Sequence, residues 1–245
     1  MISHKHKCIY IHISKCAGTT IENSFGLLGK PINKPDYDHL YGWCPIHSLF
    51  LHHATPEQLL NKGLISREVW GKYFKFIIVR NPWDRAYSDY VWMIKHLKAY
   101  DNFFNFINAK GVFKETLTVR NKYYRGDHLN KQKDYFFING EEINYDQVLK
   151  FENLKGELSL LKEKLNLDVD FFESSKNISN KKYEKYDHFF NTESRCLVQN
   201  TYSEDIEYLN YSYGSFNNSL LKLPFIFKHF SLKKALKIYF NSFKK

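Results

Sequence analysis

The 245-residue sequence has little cysteine and proline, and it lacks any long apolar run. Its four cysteines, Cys8, Cys16, Cys44 and Cys196, show no CxxC spacing, which argues against a zinc site or a disulfide framework. No stretch approaches the roughly 18 to 20 apolar residues of a membrane span. The apolar stretch near the N-terminus is too short and too polar for a secretory signal. These absences predict a cytoplasmic protein with reduced thiols.

The sequence does contain ample material for a packed core, with 43% hydrophobic and 18% aromatic residues. This composition excludes a disordered chain. The net charge of +10 is unevenly placed, because residues 220–245 hold seven lysines and no acid. The remainder is only mildly basic, which argues against a nucleic-acid-binding face. We therefore expect one domain at 1–219 and a basic tail at 220–245.

Strand and helix patterns alternate along the predicted domain. Strands are expected at 8–13, 75–79 and 147–151, and a further edge strand at 134–138. Helices are expected at 19–28, after Thr55, and at 82–97, 154–165 and 192–209, whereas 29–50 and 99–135 fit loops or irregular segments. This order predicts an α/β, P-loop-like three-layer fold, with a central parallel sheet flanked by helices.

The first chemical signal is SKCAGTT, which follows the first long predicted strand. A loop that leaves a parallel strand and enters a helix presents free N–H groups and the positive end of the helix dipole to an anion. Lys15 adds a charge, Thr19 and Thr20 add hydroxyl groups, and Ala17 and Gly18 allow close approach. The loop therefore predicts a phosphate or sulfate site, although an ordinary strand–helix connection is the alternative. The lysine precedes the glycine, the reverse of the common ATP-binding loop.

The second signal is VRNPWDRAYSDY, where another predicted strand enters a helix. Arg80 ends that strand and should project at the same sheet edge as Lys15. Ser88 lies two turns into the helix, and a guanidinium suits a phosphate dianion. The alternative for Arg80 is a structural ion pair, Arg85 fits a surface position equally well, and Asp84 fits a helix-capping role. Two anion sites at neighbouring strand ends imply a ligand with two separated phosphates.

These two segments resemble the sulfotransferases that use 3′-phosphoadenosine 5′-phosphosulfate (PAPS), especially the carbohydrate sulfotransferases and their bacterial relatives. LHHATPEQLL, FENL, NISNKKYEKYDHFF and YSEDIEYLNY resemble further stretches of that branch in the same order, so the resemblance covers roughly 8–214. It implies PAPS as co-substrate, no metal, and a carbohydrate hydroxyl, such as one of a cell-surface polysaccharide, as acceptor.

The resemblance also assigns roles to residues. It implies that the first loop holds the 5′-phosphosulfate through Lys15, Cys16, Ala17, Gly18, Thr19 and Thr20, and that Lys15 meets the leaving oxygen. Arg80 and Ser88 would hold the 3′-phosphate. A basic residue follows Asn-x-Ser in the family, and an apparent insertion here leaves open whether Lys181 or Lys182 takes that place. Ser14 stands where the family usually has proline.

The acceptor hydroxyl must lose a proton to a base, and histidine has the most suitable pKa near neutrality. His53, just before the helix that Thr55 begins, is our first choice, and His52 is the second. His47 and Glu57 remain further alternatives. His12 fits a packed position in the strand, and Glu152 fits a residue that orients the fold beneath the site.

Two other function classes stay open at this point. A P-loop nucleotide kinase would need magnesium, for which no carboxylate at a strand end is evident. A non-catalytic protein could instead bind nucleic acid or membrane through residues 220–245, which predict an amphipathic basic helix. We do not expect nucleic-acid binding, and the tail fits docking on the inner membrane face and packing on the domain equally well.

Residues 29–50 and 99–135 are expected to line the acceptor site.

Overall fold

The computed structural model of the protein describes residues 1–172 and 185–214. The strands in those residues are β1 Ile2–Ser3, β2 Cys8–Ile11, β3 Trp43–Cys44, β4 Leu49–Phe50, β5 Phe74–Val79, β6 Phe137–Ile138, β7 Glu141–Glu142 and β8 Gln147–Lys150. Four of them form the central sheet in the order β1-β2-β5-β8. β2, β5 and β8 run parallel, and β1 pairs antiparallel with β2 at one edge. The predicted α/β fold with a mostly parallel central sheet is confirmed.

Helices flank this sheet. They are α1 Gly18–Ser24, α2 Pro56–Asn61, α3 Arg67–Lys72, α4 Pro82–Leu97, α5 Phe103–Ile107, α6 Lys114–Thr118, α7 Leu154–Leu165, α8 Thr192–Thr201 and α9 Ser203–Tyr208. None of the helices within 1–172 and 185–214 is long and apolar enough to cross a bilayer. Residues Met1–Tyr213 form one compact unit.

The two central strands are buried because their side chains are apolar on both faces. Ile9, Tyr10, Ile77 and Ile78 are each 0% exposed. Parallel strands covered by helices on both faces have this near-continuous apolar character. The carboxyl ends of β2 and β5 therefore leave the core side by side, and the loops that follow them meet at one edge of the sheet.

Two of the predicted helix starts are confirmed in detail. Thr55 caps α2 in a full capping box with Gln58, and Pro56 is the first helical residue. Asn81 accepts a hydrogen bond from the Trp83 N–H at 3.1 Å, and Pro82 begins α4. The turn chemistry thus fixes where the chain enters both helices that border the site.

The segments predicted as irregular contain more regular structure than expected. The region 29–50 includes the β3–β4 hairpin, and 99–135 includes α5 and α6. The helix predicted at 192–209 is interrupted at Tyr202, which separates α8 from α9. Tyr202 is buried in a non-helical conformation, so packing of this ring overrides the continuous helical pattern.

The edge strand predicted at 134–138 is confirmed only at Phe137–Ile138, outside the central sheet. Residues Lys133–Phe136 form a single 3₁₀ turn, and β6 pairs with β7 in a separate hairpin. Asn139 and Gly140 make the turn with φ angles of 52° and 83°. Asn-Gly is a strong hairpin signal in a sequence, because both residues tolerate positive φ. The basic tail at 220–245, Lys181 and Lys182 lie outside the described residues.

Candidate active site

The loop between β2 and α1 is held in a strained conformation. Lys15 and Ala17 both have positive φ, 65° and 62°, which is uncommon for residues with a Cβ. Between them, Cys16 is 0% exposed, and its N–H donates to the Ile13 carbonyl at 3.2 Å. The Cys16 side chain therefore points into the fold, whereas Lys15 and Ala17 are half-buried at the surface. Such strain is characteristic of functional loops.

Gly18 makes room for the ring of His12. A Cβ on Gly18 would lie 1.7 Å from the His12 Nε2 atom, so no larger residue fits while that ring stays in place. The sequence suggested that this glycine lets an anion approach, and the structure shows a packing reason as well. Thr19 is exposed and Thr20 half-buried on the first turn of α1.

His12 in turn fastens α1 to the sheet. Its Nδ1 atom lies 2.8 Å from the Glu22 Oε1 atom, and both side chains are buried. Burial alone would raise the pKa of Glu22, but the contact with His12 outweighs it and lowers that pKa to about 2. Glu22 is thus a carboxylate at neutral pH, and His12 has the packed, loop-supporting position expected of it.

Arg80 joins the two strand-end loops. Its guanidinium contacts the Asp84 carboxylate at 2.7 and 2.8 Å, and it donates to the Lys15 carbonyl at 2.7 Å. The ring of Phe151 covers it at 3.9 Å. The ion pair considered as the alternative is therefore present, and Asp84 pairs with Arg80. Ser88 lies one helical turn beyond Asp84 and is 7% exposed.

Arg85 is buried and does not lie on the surface. It donates to the carbonyls of Ser14 at 3.3 Å, His128 at 2.7 Å and Asn130 at 2.8 Å. Its guanidinium therefore connects the first loop to the 3₁₀ turn Gly126–Leu129. Nothing in the local sequence distinguishes it from a surface arginine, because its partners are backbone atoms of distant segments.

The predicted histidine pair separates into two roles. His52 accepts a hydrogen bond at Nδ1 from the Gly42 N–H at 3.2 Å and stacks on Tyr41, with ring centroids 4.8 Å apart. Burial lowers the pKa of His52 to about 3. These contacts make His52 a support of the loop before β3. Glu57, a further alternative, accepts from the Asn139 N–H at 2.8 Å, so its carboxylate stabilises the β6–β7 turn.

His53 has the arrangement that a base needs. Its Nδ1–H donates to the His12 carbonyl at 3.2 Å, so Nε2 carries the lone pair of the neutral ring. Burial is the main reason that the pKa of His53 lies well below its usual value, and the neighbouring imidazoles of His12, His52 and His128 lower it further. The ring is therefore neutral at pH 7, with Nε2 ready to accept a proton.

Next to His53 lies a cluster that the sequence did not reveal. The Asp127 Oδ2 atom is 3.8 Å from the His53 Nε2 atom. Asp127 is 8% exposed, and among the described residues neither of its carboxylate oxygens has a hydrogen-bond partner. His128 Nδ1 lies 2.6 Å from Asp89 Oδ1. Asp127 and His128 lie in a stretch predicted to be irregular, and no motif marks them.

Trp92 connects this cluster to the first loop. The His128 ring stacks on the indole with centroids 4.9 Å apart, and the Lys15 ammonium lies 5.1 Å from the same indole. Lys15 and the His53–Asp127–His128 group thus border one aromatic side chain of α4. This places the predicted anion-binding lysine and the predicted base on the same part of the molecule.

A small cleft of about 40 Å³ opens beside His53. Its walls include Phe50, His53, Arg120, Tyr124, Asp127 and Asn130. The walls thus come partly from 29–50 and partly from 99–135, the two segments expected around an acceptor.

Beneath the second loop, Glu152 accepts hydrogen bonds from the Asn81 N–H at 2.5 Å and from the Tyr211 hydroxyl at 3.0 Å. Gln132 supports the same loop from the other side. Its amide accepts from the Arg80 N–H at 2.9 Å and donates to the Arg80 carbonyl at 2.7 Å. The backbone at Arg80 and Asn81 is therefore held by two polar side chains from distant segments.

Comparison with known proteins gives one match. A family model described as "Sulfotransferase family" matches residues 1–212. No curated protein and no solved structure matches the chain. The matched span contains both strand-end loops, the histidine pair and the His53–Asp127–His128 cluster.

Proposed function

The chain belongs to the sulfotransferase family, and on that premise we propose that it transfers the sulfuryl group of PAPS to a carbohydrate hydroxyl. The observation that carries this proposal is the position of His53. Its Nδ1–H is held by a backbone carbonyl, its Nε2 atom lies 3.8 Å from the Asp127 carboxylate, and the residue lines the small cleft. The Lys15 ammonium contacts the same Trp92 ring on which His128 stacks.

The donor end is assigned to the two strand-end loops. Lys15, Ala17, Gly18, Thr19 and Thr20 are proposed to hold the 5′-phosphosulfate. The contribution of Cys16 is limited to its backbone, because its side chain is fully buried.

Arg80 and Ser88 are proposed to hold the 3′-phosphate. That phosphate would share the Arg80 guanidinium with Asp84, because the Asp84 carboxylate already contacts two of the guanidinium nitrogen atoms. Arg80 also acts indirectly, because its hydrogen bond to the Lys15 carbonyl fixes the first loop. Lys181 or Lys182 remains proposed as a further contact.

The reaction then follows as an in-line displacement at sulfur. The acceptor oxygen forms the new S–O bond, the bridging S–O bond to the nucleotide breaks, and the acceptor proton passes to His53 Nε2. The Lys15 ammonium stabilises the charge that develops on the departing phosphate oxygen. His53 gains a positive charge in this step, and the His12 carbonyl at Nδ1–H and the nearby Asp127 carboxyl both favour it.

The acceptor is proposed to be a cell-surface polysaccharide. Phe50 and Tyr124 line the cleft, although both rings are largely buried, at 2% and 8% exposed. Arg120, in the same wall, could meet an acidic group of the polymer. The proposed location is the cytoplasm at the inner membrane face, with residues 220–245 as a peripheral membrane contact and no role for nucleic acid.

The proposal is tested by separating donor binding from turnover. Lys15→Ala and Arg80→Ala should each lose binding of 3′-phosphoadenosine 5′-phosphate in calorimetry, whereas Lys72→Ala, which removes an exposed surface lysine, should bind normally. His53→Ala should keep nucleotide binding and lose about 10²- to 10⁴-fold in transfer of labelled sulfate to capsule or lipopolysaccharide fragments. Unchanged affinity in both loop variants would refute the donor site, and near-normal turnover of His53→Ala would refute the base.

A further inference from the structure

The cluster beside the cleft has the composition of a metal site. His53, Asp127 and His128 each offer a ligand atom, and these atoms all lie within 4.8 Å of one another. Asp127 gives the independent indication of a ligand, because a buried carboxylate without hydrogen bonds is costly. Within the described residues, both of its oxygens lack such partners, and about nine-tenths of its side chain is buried.

The outer contacts of both histidines point in the same direction. His53 Nδ1–H donates to the His12 carbonyl, and His128 Nδ1–H donates to the Asp89 carboxylate. Metal-binding histidines characteristically donate their second ring nitrogen in this way, which fixes the ring and leaves Nε2 for the ion. Both rings are therefore fixed at Nδ1, which leaves Nε2 as the nitrogen available to an ion.

The donor set selects the kind of ion. Two imidazole nitrogens and one carboxylate suit zinc and similar divalent transition metals better than magnesium or calcium, which prefer oxygen ligands. Ligands about 2.0 to 2.1 Å from a tetrahedral zinc lie roughly 3.4 Å apart. His53 Nε2 and Asp127 Oδ2 are 3.8 Å apart, and the three ligand atoms lie within 4.8 Å of one another, so the cluster must contract to meet this spacing.

We propose that this cluster binds one zinc ion through His53 Nε2, His128 Nε2 and the Asp127 carboxylate, and that the bound ion inhibits the enzyme. The inhibitory part rests on the proposed function, since the ion would occupy the lone pair that takes the acceptor proton. Sulfuryl transfer itself needs no metal, because Lys15 supplies the positive charge. The fourth coordination position would face the cleft and hold water.

Metal affinity is the direct test, and it is measured on the full chain in a Cys196→Ser background. That background removes an exposed thiol that would bind zinc elsewhere. Competition with a chromophoric chelator should show one tight zinc site per chain. Asp127→Asn should weaken that site by at least about 100-fold, and Asp89→Asn by about 10- to 100-fold, the range for outer-shell partners. Asp134→Asn, which changes an exposed acid, should leave it unchanged.

Spectroscopy keeps the test decisive if a variant fails to fold. X-ray absorption of the zinc-loaded Cys196→Ser protein should show two imidazole ligands and oxygen ligands at about 2.0 to 2.2 Å. A spectrum without two imidazoles would overturn the site, as would equal zinc affinity in the Asp127→Asn and Asp134→Asn proteins.

Inhibition is measured separately. Saturating zinc should abolish sulfate transfer in the same background, and EDTA should restore it. Zinc that binds at this site without lowering turnover would overturn the inhibitory role alone. If no sulfate transfer is found under any condition, the proposed function fails, while the chelator titration still decides the metal site by itself.

Discussion

Replacing Glu22 with glutamine should destabilise the fold by about 3 kcal/mol at neutral pH. The pKa of Glu22 is about 2, against an ordinary value of 4.5, because contact with His12 outweighs the opposing effect of burial. A tenfold change in acidity corresponds to about 1.4 kcal/mol, which gives about 3 kcal/mol for this carboxylate. Glutamine keeps the shape of the side chain and one hydrogen bond to His12, so the loss measures mainly the charge.

The pH dependence has a definite sign. A carboxylate whose pKa is lower in the folded state contributes fully above its unfolded pKa and stops contributing as the pH falls through its folded pKa. The stabilisation from Glu22 should thus be complete above pH 5 and disappear between about pH 4.5 and 2. The difference between the natural protein and Glu22→Gln should shrink over the same interval.

Urea unfolding at a series of pH values measures this effect, with Glu68→Gln as the matched control. Glu68 pairs with Lys72 on an exposed helix face, where ion pairs contribute at most about 0.5 kcal/mol. A difference for Glu22→Gln that stays constant from pH 7 to pH 3 would refute the electrostatic argument and assign the loss to packing. A loss as small as that of the control would refute the buried pair altogether.

Three further predictions concern the site and its frame. The fall of kcat/KM at low pH should be centred below pH 6.5, because burial lowers the pKa of His53 and the base works in its neutral form. A pH–rate profile in which this fall is centred above pH 7 would point to another base. Gly18→Ala should lose about 1 to 3 kcal/mol in urea unfolding, since its Cβ would collide with the His12 ring, and an unchanged midpoint would contradict that packing. Thr55→Ala should lose about 1 kcal/mol with the capping box, and thermal unfolding at an unchanged Tm would show that the cap is dispensable.

The parts of the fold that could be predicted are those that local chemistry specifies. The apolar β-branched run of β5 and the Thr55 and Asn81 caps each depend on neighbours within a few residues. The two-part helix α8–α9 could not be predicted, because the break at Tyr202 depends on packing. The Asn-Gly pair at 139–140 is a local hairpin signal, but the aromatic run just before it favoured the prediction of a single edge strand.

Some residues of the candidate site could likewise be predicted from the sequence, and others could not. Lys15 and Arg80 follow strands whose carboxyl ends must meet, so their proximity could be inferred from topology. Asp127 and His128 are about 75 residues from His53 in the sequence and follow no strand of the central sheet. Their positions depend on the Arg85 hydrogen bonds to the backbone at His128 and Asn130. A hydrogen bond to a backbone atom does not depend on the residue type that carries that atom. The positions of Asp127 and His128 therefore cannot be predicted from the sequence alone.

The same backbone contacts imply that the two proposed phosphate sites are coupled. Arg80 holds the Lys15 carbonyl, and Arg85 holds the Ser14 carbonyl, so the strained first loop depends on the loop after β5. A 3′-phosphate that engages Arg80 would therefore act on the geometry of the 5′ site through a single guanidinium. Arg80→Lys should consequently weaken binding of adenosine 5′-phosphosulfate, which has no 3′-phosphate, as well as binding of PAPS. Lysine keeps the charge but cannot hold Asp84 and the Lys15 carbonyl in one plane. Loss confined to PAPS in calorimetry would show that Arg80 serves the 3′ site alone.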